Sequence, residues 1–367
     1  MFSTLGEVTL LDTVQIQSAT VRNADVLVIR SETKVNPALL EGSPVRFVGT
    51  ATIGTDHIDL EYLAARGIGF ASAPGCNANS VAEYITAALL TLSHRLSFEL
   101  AGKSLGIVGV GNIGSKVVRV GQALGMTVLQ NDPPLARETG DPRFLPLEAL
   151  MDADIITLHV PLSRTGPDAT YHFFDTARIG TMKTGSILIN ASRGAVVETG
   201  VIRNALVGKH LRAAVLDVWE KEPAINTDLL SLVTIGTAHV AGYSLDGKVN
   251  AVRMVYHALC EHLNMRPTWS GWHKLPAPAV PKISLPAEAG ASEEIVRKTV
   301  AQSYDIELDD KLLRDMLAQP EDRRASYFMK LRTGYRTRRE FFATTVDVAP
   351  GPQEVGNTLR ALGFNVG

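Results

Sequence analysis

Three loops carry side chains that together could handle a carboxylate and a proton. Arg193 lies in Asn190-Ala191-Ser192-Arg193-Gly194, behind a short apolar run. Glu220 and Glu222 lie in Asp217-Val218-Trp219-Glu220-Lys221-Glu222-Pro223. His239 lies in Thr237-Ala238-His239-Val240-Ala241-Gly242-Tyr243. An arginine presents a planar fork of donors to a carboxylate. A histidine exchanges a proton near neutral pH, and a carboxylate behind it fixes its tautomer and stabilises its cation. That set suits interconversion of a 2-hydroxy and a 2-oxo acid, provided something else takes the hydride. Spacing alone does not decide whether Glu220 or Glu222 serves His239.

A hydride acceptor is suggested by Gly109-Val110-Gly111-Asn112-Ile113-Gly114. A glycine fingerprint is weak by itself, but here an apolar strand leads in, a helical pattern leads out, and Asp132 ends the next strand 18 residues after Gly114. Gly109 permits a tight turn, Gly111 lets the backbone approach a pyrophosphate, and Gly114 allows close helix–strand packing. The helix N-terminus offers free N–H groups to phosphate. Asp132 would accept from the adenosine ribose hydroxyls and repel a 2′-phosphate. Pro133 and Pro134 follow it, with no adjacent arginine, so the expected cofactor is NAD. No cluster has metal-ligand spacing, and no metal is expected.

These loops need a scaffold. Strands are expected over Leu105–Val110, Thr127–Gln130, Ile155–His159, Ile187–Asn190, Ala213–Leu216 and Val233–Gly236, with helices over Gly111–Leu124, Leu147–Met151 and Val196–Leu206 between them. Strands alternating with helices mean a parallel sheet covered on both faces, an α/β doubly wound (Rossmann) domain. The three loops then fall at the C-terminal ends of parallel strands, where such sheets bind ligands. Before this block, Val26–Ile29, Arg46–Val48 and Ile68–Ala71 read as short buried strands, with a helix over Asp59–Arg66. Two long helices, Ser80–Leu96 and Leu245–Leu263, are expected to cross between two lobes, so the first lobe is discontinuous. Asn77, Asn79 and Ser80 suit an N-cap, with Glu83 placed as in a capping box. Prolines at 276, 278 and 281 mark a boundary. A small α/β unit with a strand over Phe341–Val348 follows. The expected domains are 1–97 with 240–268, 98–239, and 269–367.

Bulk composition agrees with a globular protein of two or three domains: 367 residues, 45% hydrophobic and 20% charged. A net charge of −2 gives no field toward nucleic acid or anionic membrane. The basic residues between Arg323 and Arg339 are interspersed with acids and read as a dimer surface or a solvated helix face, with an arginine lent to a phosphate site on the neighbouring subunit as the alternative. Cys76 and Cys260 are far apart, which argues against a disulfide framework and fits a cytoplasmic protein. Neither a secretory leader nor a membrane-spanning run is visible.

The set GVGNIG, NASRG, DVWEKEP and the downstream histidine resembles the D-isomer-specific 2-hydroxyacid dehydrogenases over about residues 1–265. That family has a central NAD lobe and a discontinuous, flavodoxin-like substrate lobe. By this resemblance Arg193, Glu222 and His239 are the catalytic trio, with His239 as proton donor and acceptor. NAD contacts are implied at Gly109, Gly111, Asn112, Ile113, Gly114, Asp132, Val160, Ala191, Ser192, Arg193, Asp217 and Gly242. Substrate contacts are implied at Ser31, Thr52 and Tyr243. Four further stretches, Arg30–Asn36, Gly49–His57, Ala73–Ala78 and His239–Lys248, with Ser303-Tyr304-Asp305 and Arg338-Arg339-Glu340-Phe341, resemble a branch that acts on a phosphorylated hydroxyacid and adds a C-terminal dimerisation domain. A homodimer is therefore implied. Arg30 and Lys34 are candidate phosphate contacts.

Two departures from the pattern stand out. The family's opening strand and its exit turn, about fifteen residues, have no counterpart before Met1, so the first lobe is expected to lack a central strand. Val160 stands where a threonine is common, so any NAD contact there uses backbone. Two alternatives belong beside this reading. One is a dehydrogenase of the glycerate or phosphoglycerate type. The other is an NAD-sensing binding protein of the same fold.

Overall fold

Three parallel strands open the fold: β1 (Val26–Ile29), β2 (Phe47–Thr50) and β3 (Gly69–Ala71), paired in the order β1-β2-β3. The computed structural model describes residues 1–30, 32–269, 271–285, 292–349 and 352–367. Residues 1–77 and 244–276 form one packed unit around this sheet, and residues 78–243 and 277–367 form a second. In the first unit, the helix Leu245–His262 covers one sheet face by burying Val255 and Leu259 against Phe47. Among the described residues no strand precedes β1, which pairs only with β2. The residues before it hold single turns at Phe2–Thr4 and Thr13–Gln15 and a short helix, Ser18–Val21, with Leu10 and Val14 exposed.

The second unit is built on six parallel strands: β4 (Ser104–Val108), β5 (Thr127–Asn131), β6 (Ile155–Leu158), β7 (Ser186–Asn190), β8 (Leu211–Leu216) and β9 (Ile235–Gly236). Their order is β5-β4-β6-β7-β8-β9. All six strands forecast here are present; the inner strands β6 and β7 are buried along their whole length, as central parallel strands are, whereas the edge strand β5 is only half-buried. Strand β4 is the topological switch, with β5 on one side and β6 on the other. A ligand crevice forms at the C-terminal ends beside such a strand. The expected end of β4 moves back two residues because the turn at Gly109, with φ +86°, stops it at Val108.

The helix Ala78–Leu96 lies in this second unit, not with the lobe to which residues 78–97 were assigned from sequence. Ser80 through Ser93 are all buried. A helix apolar on every side needs cover all round. The nucleotide sheet supplies Leu105 and Ile107 and the helix Gly114–Ala123 supplies Val117, while the C-terminal residues supply Ile295, Val296, Val300 and Tyr304. Those C-terminal residues form helices Ser292–Ser303, Ile306–Arg314, Glu321–Thr333 and Gln353–Ala361. A small parallel sheet completes them: β10 (Lys282–Ser284), β11 (Thr345–Asp347) and β12 (Asn365–Val366). The anticipated strand over 341–348 is the middle one, shortened by a turn at Phe341–Ala343. Among the described residues no helix is long and apolar enough to cross a membrane.

Charges are buried where these C-terminal residues meet Ala78–Leu96. Arg338, expected on a surface, is 4% exposed. It donates to the Ser80 carbonyl at 2.7 Å and to Glu83 Oε2 at 3.3 Å, and its guanidinium lies 3.9 Å from the Tyr304 ring centroid. Glu83 Oε1 accepts the Phe341 N–H at 2.6 Å. Glu340 accepts from Ser80 Oγ at 2.8 Å. The buried Glu83 carboxyl thus sits beside the Arg338 guanidinium and in the field of the Glu340 charge. Burial pushes the Glu83 carboxyl up to about 8, against the pull of Arg338 and with the Glu340 charge adding to it. The folded value lies above the unfolded one, so the proton's stabilisation is complete below pH 4.5 and is lost as pH rises toward 8. Calorimetry between pH 5 and 8.5 should show stability falling by at most about 1.4 kcal/mol per pH unit from this group. Glu83→Gln should flatten the curve. An unchanged slope in that variant would remove Glu83 as its source.

Candidate active site

At the end of β4 the fingerprint does what its spacing requires. A Cβ on Gly109 would lie 2.7 Å from the His159 carbonyl oxygen, and one on Gly114 would lie 1.9 Å from the Gly109 carbonyl oxygen. Neither position admits a side chain. A Cβ on Gly111 would meet nothing within 4 Å, so that face of the loop is open to a ligand. The helix Gly114–Ala123 begins here. Among the described residues no acceptor takes the N–H groups of Gly111, Asn112, Ile113 or Gly114. Open backbone plus unpaired amides at a helix start fit a pyrophosphate. Val160, just past β6, is half-buried against the Gly109 turn.

Asp132 is half-buried and accepts from the Val110 N–H at 2.8 Å and the Leu135 N–H at 3.1 Å. It caps the helix Pro133–Thr139 and ties it to the glycine loop. Each oxygen keeps a further lone pair for a ribose hydroxyl. Arg137, the nearest following cation, is engaged with Asp168.

Beyond β7, Asn190 organises the arginine loop. Its Oδ1 accepts from the Ser192 N–H at 3.0 Å and Oγ at 2.8 Å, and its Nδ2 donates to the Arg193 carbonyl at 3.0 Å. Ala191 and Ser192 are buried. Arg193 is half-buried, with Nη1 donating to the Ser192 carbonyl at 2.8 Å.

Beyond β8, the two glutamates separate. Glu220 accepts from the Thr199 N–H at 2.7 Å and pairs with His172 Nε2 at 2.8 Å. Burial raises its carboxyl, but those hydrogen bonds outweigh it and leave Glu220 below its ordinary value. Glu220 is therefore spent on the scaffold. Glu222 turns the other way. Its Oε2 lies 2.7 Å from His239 Nδ1, and its Oε1 accepts the Trp219 N–H at 2.8 Å. Glu222 accepts a hydrogen bond from Nδ1–H, which leaves Nε2 as the ring's acceptor.

Asp217 holds the histidine loop. It is 1% exposed; Oδ1 accepts from Thr237 Oγ1 at 2.6 Å and the Val240 N–H at 2.8 Å, while Oδ2 accepts the Ala241 N–H at 3.0 Å. Its carbonyl accepts the His239 N–H at 2.7 Å. His239 adopts φ +57°, rare outside glycine, and these bonds keep it there. The Asp217 carboxylate thus serves its own loop. Burial raises its carboxyl. Gly242 lies within a turn closed by the Tyr243 N–H on the Val240 carbonyl at 2.8 Å. Tyr243 meets Tyr335 edge-on at 5.7 Å.

The second unit therefore brings together Arg193, Glu222, His239, Gly242 and Tyr243 around the sheet that carries Gly109–Gly114, Asp132, Val160, Ala191, Ser192 and Asp217. Thr52 belongs to the first unit, just past β2, where its hydroxyl meets Thr50 Oγ1 at 2.7 Å and donates to the Gly54 carbonyl at 3.0 Å. Ser31 lies outside the described residues. In the first unit Arg30 and Lys34 are exposed. Lys248, on the helix Leu245–His262, is held below its ordinary value by burial and by the Arg30 charge. Lys248 closes the stretch His239–Lys248, but its residue type and spacing do not single it out as a phosphate contact.

Known proteins with these features are found readily. Residues 80–241 match the model described as D-isomer specific 2-hydroxyacid dehydrogenase, NAD binding domain. Residues 274–363 match a domain of unknown function, DUF3410. A structure of D-lactate dehydrogenase from Aquifex aeolicus, complexed with NAD and lactic acid, is 26% identical with a TM-score of 0.57, covering 72% of this chain and 91% of that one. Erythronate-4-phosphate dehydrogenase from Salinibacter ruber is 45% identical over 96% of this chain and 92% of its own length. The Azotobacter vinelandii protein of the same name is 43% identical over 99% and 95%. The likeness to these two relatives runs through the C-terminal domain as well as the nucleotide sheet, so the chain belongs to the erythronate-4-phosphate dehydrogenase branch of the D-isomer-specific 2-hydroxyacid dehydrogenase family.

Proposed function

We propose that the chain oxidises 4-phospho-D-erythronate to 3-hydroxy-2-oxo-4-phosphobutanoate with NAD, a step in pyridoxal 5′-phosphate biosynthesis. The observation that carries this reading is the 2.7 Å pair of His239 Nδ1 and Glu222 Oε2 beside an NAD-type sheet, in a chain similar over nearly its full length to enzymes of that name.

NAD supplies a nicotinamide that accepts the hydride. The protein handles the rest. Arg193 holds the C1 carboxylate through paired N–H donors. His239 Nε2 accepts the C2 hydroxyl proton as the C2–H bond releases its electron pair with the hydrogen, leaving a C2 carbonyl. Glu222 holds the resulting imidazolium through Nδ1–H. The reverse reaction returns the same proton. Gly109–Gly114 and Asp132 hold the dinucleotide, with Val160, Ala191, Ser192 and Gly242 lining it. Asp217 contributes by fixing the histidine loop. Ser31, Thr52 and Tyr243 contact the substrate, and Arg30 and Lys34 attract its phosphate.

Residues 1–77 with 244–268 take the substrate, 98–239 take NAD, and 269–367 join two copies in a homodimer. Cys76 and Cys260, both buried and not joined in a disulfide, support a cytoplasmic location. Initial rates of NADH formation test the substrate assignment. 4-Phospho-D-erythronate should exceed 3-phosphoglycerate in kcat/KM by at least about 100-fold, the discrimination expected when buried polar groups lose a partner. Equal rates, or preference for the three-carbon acid, would overturn it. Adding a 2-oxo acid to the same assay tests whether retained NADH limits turnover.

A further inference from the structure

Arg332 is a half-buried cation of the C-terminal domain with no side-chain hydrogen bond among the described residues. It lies in the last turn of the helix Glu321–Thr333. Nearby cations are spent on structure: Arg324 donates to the Leu317 and Gln319 carbonyls, Arg336 pairs with Asp309, and Arg338 is buried on Glu83. The Arg332 guanidinium donates no hydrogen bond among the described residues, and its Nε is buried without an acceptor. Its side chain is 23% exposed, and Nη1 lies 4.0 Å from Glu222 Oε2, too far for a hydrogen bond. That oxygen is already 2.7 Å from His239 Nδ1. A half-buried guanidinium with its donors idle is costly unless an anion completes it.

Its surroundings are those of a substrate pocket. The guanidinium carbon is 5.9 Å from the Tyr243 ring centroid. Tyr335, whose hydroxyl donates to Asp309 at 2.8 Å, braces Tyr243 from the other side. Arg332 and His239 thus flank one carboxylate, so the cation lies within the span of a short acid phosphate whose C2 hydroxyl reaches His239. The substrate read above carries two anionic ends, and Arg193 satisfies only one of them.

We propose that Arg332 binds the substrate's phosphate, so that the domain of unknown function supplies a specificity-determining residue to the active site of its own chain. This rests on the phosphorylated hydroxyacid reading. A dianion accepts several cations, and Arg30 and Lys34 are compatible with it.

The test uses the full chain carrying Arg332→Met or Arg332→Lys, with 4-phospho-D-erythronate, D-erythronate and inorganic phosphate as probes. A lost charge-assisted contact of 1.5–3 kcal/mol corresponds to roughly 10- to 150-fold. Arg332→Met should raise KM for the phosphorylated acid by about that factor, with kcat within about threefold. It should leave kcat/KM for D-erythronate nearly unchanged, and should weaken competitive inhibition by inorganic phosphate by a similar factor. Arg332→Lys should recover part of the loss, since it keeps the charge without the fork. An equal loss on both acids would mean that Arg332 acts through Glu222 and His239, which overturns the proposal. Unchanged KM and phosphate inhibition would also overturn it. A parent enzyme that does not distinguish the two acids would sink the substrate reading together with this one.

Discussion

His239→Gln should lower kcat by about 10³-fold near neutral pH, within the range of general acid–base contributions, while NAD affinity stays within a few-fold. The argument rests on which atoms are engaged. Glu222 Oε2 sits 2.7 Å from Nδ1, so the ring's other nitrogen is the one that meets a substrate proton. Glutamine offers an amide of comparable reach but no basic nitrogen, so it keeps a polar contact and loses the proton transfer. The histidine loop itself does not depend on the imidazole, because Asp217 holds it through the backbone of residues 239, 240 and 241. Single-turnover NADH formation reads the chemical step, and NAD titration by fluorescence quenching reads binding. A variant with near-normal kcat would overturn the role of His239. Parallel loss of both signals would mean that the residue serves the loop's structure.

Gly194→Ala should have the second-largest effect, and for a different reason. A Cβ at 194 would lie 2.0 Å from the Trp219 carbonyl carbon, 2.1 Å from its oxygen and 2.6 Å from the Glu220 nitrogen. All three are backbone atoms, which cannot rotate away as a side chain would. One methyl group therefore forces apart the loop that carries Arg193 and the loop that carries Glu222. Misplacement by about 1 Å costs on the order of 100-fold in rate, and overpacking of this kind costs about 1–3 kcal/mol. We expect at least that loss in kcat/KM, with a Tm lowered by several degrees. Gly200→Ala is the control. It lies in the helix Thr199–Val207, its Cβ would meet nothing within 4 Å, and alanine there should stabilise slightly. A Gly194→Ala enzyme as active as Gly200→Ala would show that the two loops are not locked together.

The nucleotide sheet was legible in the sequence because its inner strands are buried on both faces and appear as short apolar runs between helical patterns. The glycine loop was legible because Gly109 and Gly114 have steric duties that no other residue performs. The choice between Glu220 and Glu222 was not, since two carboxylates in one loop differ only in which way each turns. His172 and Thr199 claim the first, and both come from distant segments. Strands β10 and β12, of three and two residues, are too short for any periodicity. The basic stretch from Arg323 to Arg339 reads as surface, yet Arg338 is buried and Arg332 faces Glu222. Those differences depend on what the helix Ala78–Leu96 and the histidine loop present to it, which is tertiary information. Asp217 looked like one more residue at a strand end, and its hold on three backbone amides appears only once the loop has folded over it.

The burial of the helix Ala78–Leu96 also has a consequence for synthesis of the chain. Its apolar surface is closed on one side by Ile295, Val296 and Val300, which are made roughly 200 residues later. At about 5–20 residues per second on the ribosome, that is on the order of 10–40 s during which a finished helix waits for half its cover. The nascent nucleotide domain must therefore leave the tunnel with a greasy seam open. The C-terminal residues close that seam as well as bringing Arg332 toward Glu222, so the unit completes its core and its active site at the same late moment.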